Sequence, residues 1–272
     1  MTNSVPTGRE SLPLAERSDA DLPGHWLLAR LGKRVLRPGG LELTSRLLAA
    51  ARIGGADVVE LGPGLGRTAA DIVGLHPRSY VGVDDTAATS ATVRTIVAPV
   101  EGSVVVADAA ETGLPDLSAD VVVGEAMLTM HSDKAKRAIV AEAFRVLRPG
   151  GRYAIHELGL TPDSLPQETK DEIRRDMARA IKVNARPLTS GEWAQLLTEA
   201  GFEVTSVDHA PMALLKPARV LADEGPVGAL RIVGNLIRHG AARRRVIGMR
   251  RTFHRYRHSL TAVAVVGVVP AS

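Results

Sequence analysis

Cysteine is absent from the 272 residues. That excludes disulfides, thiolate metal sites and a cysteine nucleophile, and it fits a cytoplasmic setting. Aromatic side chains make up only 3% of a chain that is 45% hydrophobic, so the core is expected to be aliphatic and base-stacking surface scarce. No apolar run is long enough to span a bilayer. The longest, residues 260–270, falls well short of the roughly 20 residues a helical span needs. The first 20 residues are polar and lack the apolar stretch of a secretory signal. Acidic side chains are missing from residue 225 onward, where nine arginines stand, while the first 224 residues hold 25 basic and 30 acidic groups. The net charge of +4 therefore belongs to one C-terminal segment.

What is present is organised around residues 57–85. The run D-V-V-E-L at 57–61 is short, β-branched and apolar, which predicts a buried parallel strand ending beside Glu60. Gly62, Gly64 and Gly66 follow at spacing two, with Pro63 between the first pair. Glycines there let the chain turn sharply and approach a ligand. Residues 67–74 read as a helix whose N-terminal N–H groups point back at that loop. A second strand at 80–83 ends in Asp84 and Asp85, with Asp84 placed to accept from ribose hydroxyls. A dinucleotide fingerprint would carry a third glycine at position 67, which is arginine here.

The pattern continues strand, helix, strand: a helix over 86–97, a strand over 102–107 ending at Asp108-Ala109, and a strand over 119–123 running into Gly124-Glu125-Ala126-Met127. A helix over 134–147 leads into R-P-G-G-R at 148–152, which predicts a turn, and then a fifth strand containing His156 and Glu157. The motif E-x-G-x-G-x-G at 60–66 and the segment F-R-V-L-R-P-G-G-R-Y-A-I at 144–155 resemble class I S-adenosylmethionine (SAM)-dependent methyltransferases, well over residues 55–160 and poorly at the ends.

The resemblance implies an α/β fold: a seven-stranded, mostly parallel, doubly wound sheet whose last strand is antiparallel. It implies SAM as cofactor, S-adenosylhomocysteine (SAH) as product, and methylation of a small-molecule acceptor at oxygen or nitrogen. Carried residue by residue, it gives cofactor contacts at Glu60, Gly62, Pro63, Gly64, Gly66, Asp84, Asp85, Asp108, Ala109 and Glu125. Glu125, His131 and His156 become catalytic candidates, since a hydroxyl acceptor wants a base and imidazole suits neutral pH. His131 also reads as a helix cap and His156 as a core histidine. Arg37 and Glu42 read either as contacts to the methionyl group or as surface charges beside a turn. No metal is called for.

Residues 1–23 read as a flexible arm, able to fold over a bound cofactor, ahead of one domain over 24–272. N-terminal helices over 25–36 and 41–53 precede the first strand. Residues 211–259 read as a helical insertion before the last strand, with Val246, Met249, Phe253, Tyr256 and Leu260 on one apolar stripe. Its arginines leave three readings open: a solvated face, an anionic or lipid-like small-molecule acceptor, or nucleic acid. The last is disfavoured by the few aromatics and by the absence of Asn/Asp-Pro-Pro-aromatic after the fourth strand. A non-catalytic SAM-binding protein and a homodimer also stay open.

Overall fold

The computed structural model describes residues 12–14 and 16–271. Valine-rich runs build the sheet. β1 (Asp57–Leu61), β2 (Ser79–Asp84), β3 (Ser103–Val106), β4 (Ala119–Glu125) and β5 (Leu147–Leu160) pair in parallel in the order β3-β2-β1-β4-β5. A two-residue β6 (Leu188–Thr189) adds to the C-terminal end of β5. β8 (Leu260–Val268) then runs antiparallel between β5 and β7 (Glu203–Pro211). The expected seven-stranded mixed sheet is thus present, with β6 as a short addition.

The helices are α1 (Gly24–Arg30), α2 (Gly40–Ala51), α3 (Arg67–Val73), α4 (Ala87–Val97), α5 (Asp133–Val146), α6 (Gln167–Ile181), α7 (Ser190–Glu199), α8 (Pro217–Arg238) and α9 (Gly240–Arg255). Successive strand residues point to opposite faces, so the sheet feeds two cores. Val59, Leu61, Val122 and Ile155 pack with Ile139, Val140, Trp193 and Leu197 of α5 and α7. Val58, Tyr80, Val121 and Ala154 pack with Leu43, Leu47, Ala69 and Val93 of α2, α3 and α4. A further apolar cluster joins Leu27 and Leu31 to Ala242 and Met249, so α9 lies against the α1 region.

Two local expectations differ. The first helix ends at Arg30 rather than continuing to residue 36, because Gly32 adopts φ +102° and turns the chain. Residues 148–152, expected as a turn, lie within β5. Leu147 pairs with Ala119 before the ladder shifts register, and the Gly150 N–H bonds Val269 O at 2.9 Å. The insertion holds α8, kinked at Gly225, and α9.

Parallel pairing sets the carboxyl ends of β1, β2, β4 and β5 side by side. Glu60 stands opposite Gly82, Leu61 opposite Gly124, and Glu125 opposite His156. Side chains at these ends converge on one edge of the sheet, where open α/β sheets bind ligands.

Candidate functional site

The loop after β1 is built by its glycines and by one aspartate from the neighbouring strand. Gly62, Gly64 and Gly66 all take positive φ (66°, 51° and 73°), which side-chain-bearing residues resist. The Gly62 N–H bonds Val83 O at 2.8 Å, and the Gly64 N–H bonds Asp84 Oδ2 at 3.0 Å. Asp84 Oδ1 accepts from the Thr86 N–H and the Thr89 hydroxyl, both at 2.9 Å. Its second oxygen thus keeps a free lone pair. Gly66 does something else. A Cβ there would lie 2.5 Å from Ile96 Cδ1, so this glycine lets α3 close on α4 and is absent from the cavity wall.

At the end of β4, Glu125 is the hub of a buried network. Its Oε2 meets Arg37 Nε at 2.9 Å, with side-chain exposures of 4% and 5%, and its Oε1 meets His156 Nδ1 at 2.7 Å. The hydroxyls of Thr44 and Thr68 also donate to it. Burial opposes ionisation of Glu125, but the Arg37 charge and the His156 bond outweigh it and pull the pKa down to about 2. A carboxylate so held is a poor proton acceptor near neutral pH. It fixes Arg37 instead.

His156 is corrected from catalytic candidate to core residue. It is fully buried and absent from the cavity wall, and its Nε2 accepts the Gly39 N–H at 3.0 Å. That bond puts the ring proton on Nδ1, facing Glu125, and leaves no lone pair for a substrate. Arg37, read from the sequence as a contact or a surface charge, is only 3% exposed. One amino group of its guanidinium bonds Asp71 at 2.8 Å, while the other, Nη1, is buried without a hydrogen-bond partner. Glu42 lies outside the site, exposed and 3.1 Å from Arg219.

Two further carboxylates are buried. Tyr80 donates to Glu60 at 2.6 Å, yet burial pushes Glu60 up to about 8, with the neighbouring Glu125 charge adding to the rise. Glu157 accepts the N–H groups of Met127, Leu128 and Thr129 at 2.7–3.0 Å and the Thr129 hydroxyl at 2.6 Å. It pins the turn that leads to His131.

These groups border a cavity of about 740 Å³, within the usual range of ligand sites. One half is the loop side: Glu60, Gly62, Pro63, Gly64, Asp84, Asp85, Asp108, Ala109 and Glu125. The other half is apolar, formed by Trp26 and Leu28 of α1, Met177 and Ile181 of α6, and Met249 and Phe253 of α9, with Leu12 and Leu14 of the N-terminal stretch. Residues 1–11 of the arm expected from the sequence lie outside the described residues.

His131 lines the cavity with its pKa lowered by burial, while the charges of Asp108 and Asp85 raise it in part. The imidazole therefore stands toward the loop side. A second imidazole, His25, was missed in the sequence because it falls off the Leu27–Leu28–Leu31 stripe of its helix. It lies beside Trp26, ring centroids 4.8 Å apart, and burial alone lowers its pKa to about 4. Among the described residues no group of three or more His, Asp or Glu is arranged to hold a metal ion.

Comparison with known proteins agrees with this geometry. A family model described as a methyltransferase domain matches residues 59–155. An uncharacterized protein of Haemophilus influenzae is 34% identical over 251 residues, covering 90% of this chain and 97% of its own. A Mycolicibacterium smegmatis protein named as a probable S-adenosylmethionine-dependent methyltransferase is 35% identical over 158 residues, 57% of this chain and 55% of that protein. Among solved structures, a SAM-dependent methyltransferase from Geobacter sulfurreducens in complex with S-adenosyl-L-homocysteine shares the fold. Its TM-score is 0.64 at 18% identity, over 92% of this chain and 99% of that one.

Proposed function

The chain belongs to the class I SAM-dependent methyltransferases, with SAM as its cofactor, and from there we propose that it methylates a hydroxyl of a small, apolar acceptor. The loop half of the cavity suits the cofactor. Arg37 Nη1, buried and unpartnered, is a ready donor for a carboxylate such as that of the methionyl group. The free lone pair of Asp84 Oδ2 suits a ribose hydroxyl, and Asp108 with Ala109 suits adenine. Asp85 is exposed and sits one residue beyond β2, at the rim. His131, near Asp85 and Asp108, belongs with the nucleoside rather than with the acceptor.

Bound there, SAM supplies an electrophilic methyl on a sulfonium. The chain's own residues do the rest. Arg37 and Asp84 hold the cofactor on either side of its sulfur, and alignment of this kind is worth up to roughly 7–11 kcal/mol. The apolar half selects an acceptor with little charge and keeps water from the reacting atoms.

The apolar wall carries the proposal, and His25 on that wall is an imidazole that burial keeps neutral. With its pKa lowered it is a weak base, so it takes the proton late, from the oxonium that forms once the oxygen bonds to the methyl carbon and the sulfur keeps the electron pair. Residues 12–14 on the same wall support an N-terminal arm that folds over the bound ligands. The test is SAH release with a panel of apolar phenols and alcohols, matched against amines and charged analogues. Turnover with charged acceptors alone would refute the reading.

A further inference from the structure

The outer face of the α8–α9 hairpin is the least ordinary surface of the molecule. Beyond the kink at Gly225, α8 turns Ile232 inward and bonds its Asn235 amide to Leu31 O at 3.0 Å. The opposite face is apolar too. Val227 and Leu230 are 72% exposed, Ile237 68% and Val233 52%, and their spacing of three and four residues puts them in one stripe. On α9, Ala242 and Met249 are buried, while Ile247 is exposed between Arg243, Arg244, Arg250 and Arg251. Arg231 and Arg238 flank the α8 stripe.

These six arginines have no ion pair among the described residues, whereas Arg219 and Arg255 of the same hairpin do. From residue 225 onward there is no acid to neutralise them. A soluble surface seldom keeps aliphatic side chains in a contiguous row. The inner side, by contrast, is firmly tied. Lys33 stands 3.6 Å from Asp223 and 3.5 Å from Glu224, and Arg245 donates to Asp19 O and Leu22 O at 2.8 and 2.6 Å. The apolar row is thus displayed by a hairpin already fixed to the domain.

We propose that this face docks the enzyme on a bilayer carrying anionic phospholipid. Val227, Leu230, Val233 and Ile237 enter the headgroup–acyl boundary, and the arginines meet lipid phosphates. The charge pattern decides between occupants. A second copy of the chain, related by a two-fold axis through this patch, would set the arginine rows against each other. A nucleic acid would match the arginines but leave the aliphatic row in water, and the aromatic rings of α9 and its C-cap, Phe253 and Tyr256, face the protein. An anionic bilayer satisfies both halves of the pattern. No described helix is long and apolar enough to cross a membrane, so the contact is peripheral. Met249 and Phe253 of the same α9 line the cavity from its inner side, which brings the apolar wall close to the lipid surface. The inference stands on the hairpin alone and does not depend on the acceptor assignment.

The test is sedimentation of the full chain with phosphatidylcholine vesicles, with and without roughly 30% phosphatidylglycerol, at about 0.1 M salt where charge attraction is still felt. Binding is expected to the anionic vesicles alone, to drop roughly five-fold for each arginine neutralised in Arg250→Gln and Arg251→Gln, and to be lost in Leu230→Glu/Ile237→Glu. Calorimetric SAM affinity should be the same in these variants, which reports that they are folded. The proposal is overturned by equal binding to neutral vesicles, or by binding that survives Leu230→Glu/Ile237→Glu. It is also overturned by a stable dimer that this double substitution dissolves.

Discussion

Arg37 Nε lies 2.9 Å from Glu125 Oε2 in a pocket where neither side chain is more than 5% exposed. The pair ties the segment after α1 to the end of β4 and holds Arg37 on the cavity wall, with Nη1 left unpartnered. Removing one partner leaves an uncompensated buried charge. Arg37→Met should therefore cost about 3–5 kcal/mol in urea unfolding and weaken SAM binding. Arg37→Met/Glu125→Gln should recover part of the stability but none of the affinity. Equal stability of the single and double variants would contradict the pairing.

Asp84 organises the glycine loop through the Gly64 N–H and keeps one lone pair for the ligand. Losing a hydrogen bond to a charged group costs about 1.5–3 kcal/mol. Asp84→Ala should raise the calorimetric Kd for SAM on the order of 10- to 100-fold. Unchanged affinity would mean that the ribose sits elsewhere.

The two cavity imidazoles should separate kinetically. His25→Ala is expected to lower kcat by about 10-fold, less than the usual 10²–10⁴ of general-base help because its lowered pKa makes it a weak base, with SAM affinity unaltered. His131→Ala should instead raise the Kd for SAM. The reverse pattern would return the base to His131.

Glu60 predicts a pH signature. Burial raises its pKa from the ordinary 4.5 to about 8, so the folded chain holds a proton that the unfolded chain has lost. The stability this contributes is complete below about 4.5 and drains away as the pH climbs to about 8, at up to ~1.4 kcal/mol per pH unit. Glu60→Gln removes the titration. Unfolding free energies from pH 5 to 8 should fall more steeply for the wild type, and parallel curves would count against a buried neutral Glu60.

Gly66 combines φ +73° with a position where an added Cβ would lie 2.5 Å from Ile96 Cδ1. Gly66→Ala should lower stability by about 1–3 kcal/mol, and SAM affinity should decline only with the loss of folded protein. A large drop in affinity at unchanged stability would restore a direct cofactor contact.

Local pattern was enough for the sheet and the loop side of the cavity. Valine-rich strands of four to seven residues, glycines at spacing two and acids at strand ends each act within one strand and its turn, and their meaning survives any packing. The α9 stripe of Val246, Met249 and Phe253 was legible in the same way, because helical periodicity records which side is buried. Tertiary structure alone decided the rest. His156 and His131 look alike in sequence, yet the Gly39 N–H, 117 residues from His156, consumes a lone pair of that ring, while the His131 ring lines the cavity. Arg37 became a site residue because β4 brings Glu125 beneath it, and His25 because α6 and α9 close over α1. The outward α8 row carries the same kind of residue as a buried one. Hydrophobic side chains state a preference for leaving water; only the folded chain shows which of them found cover.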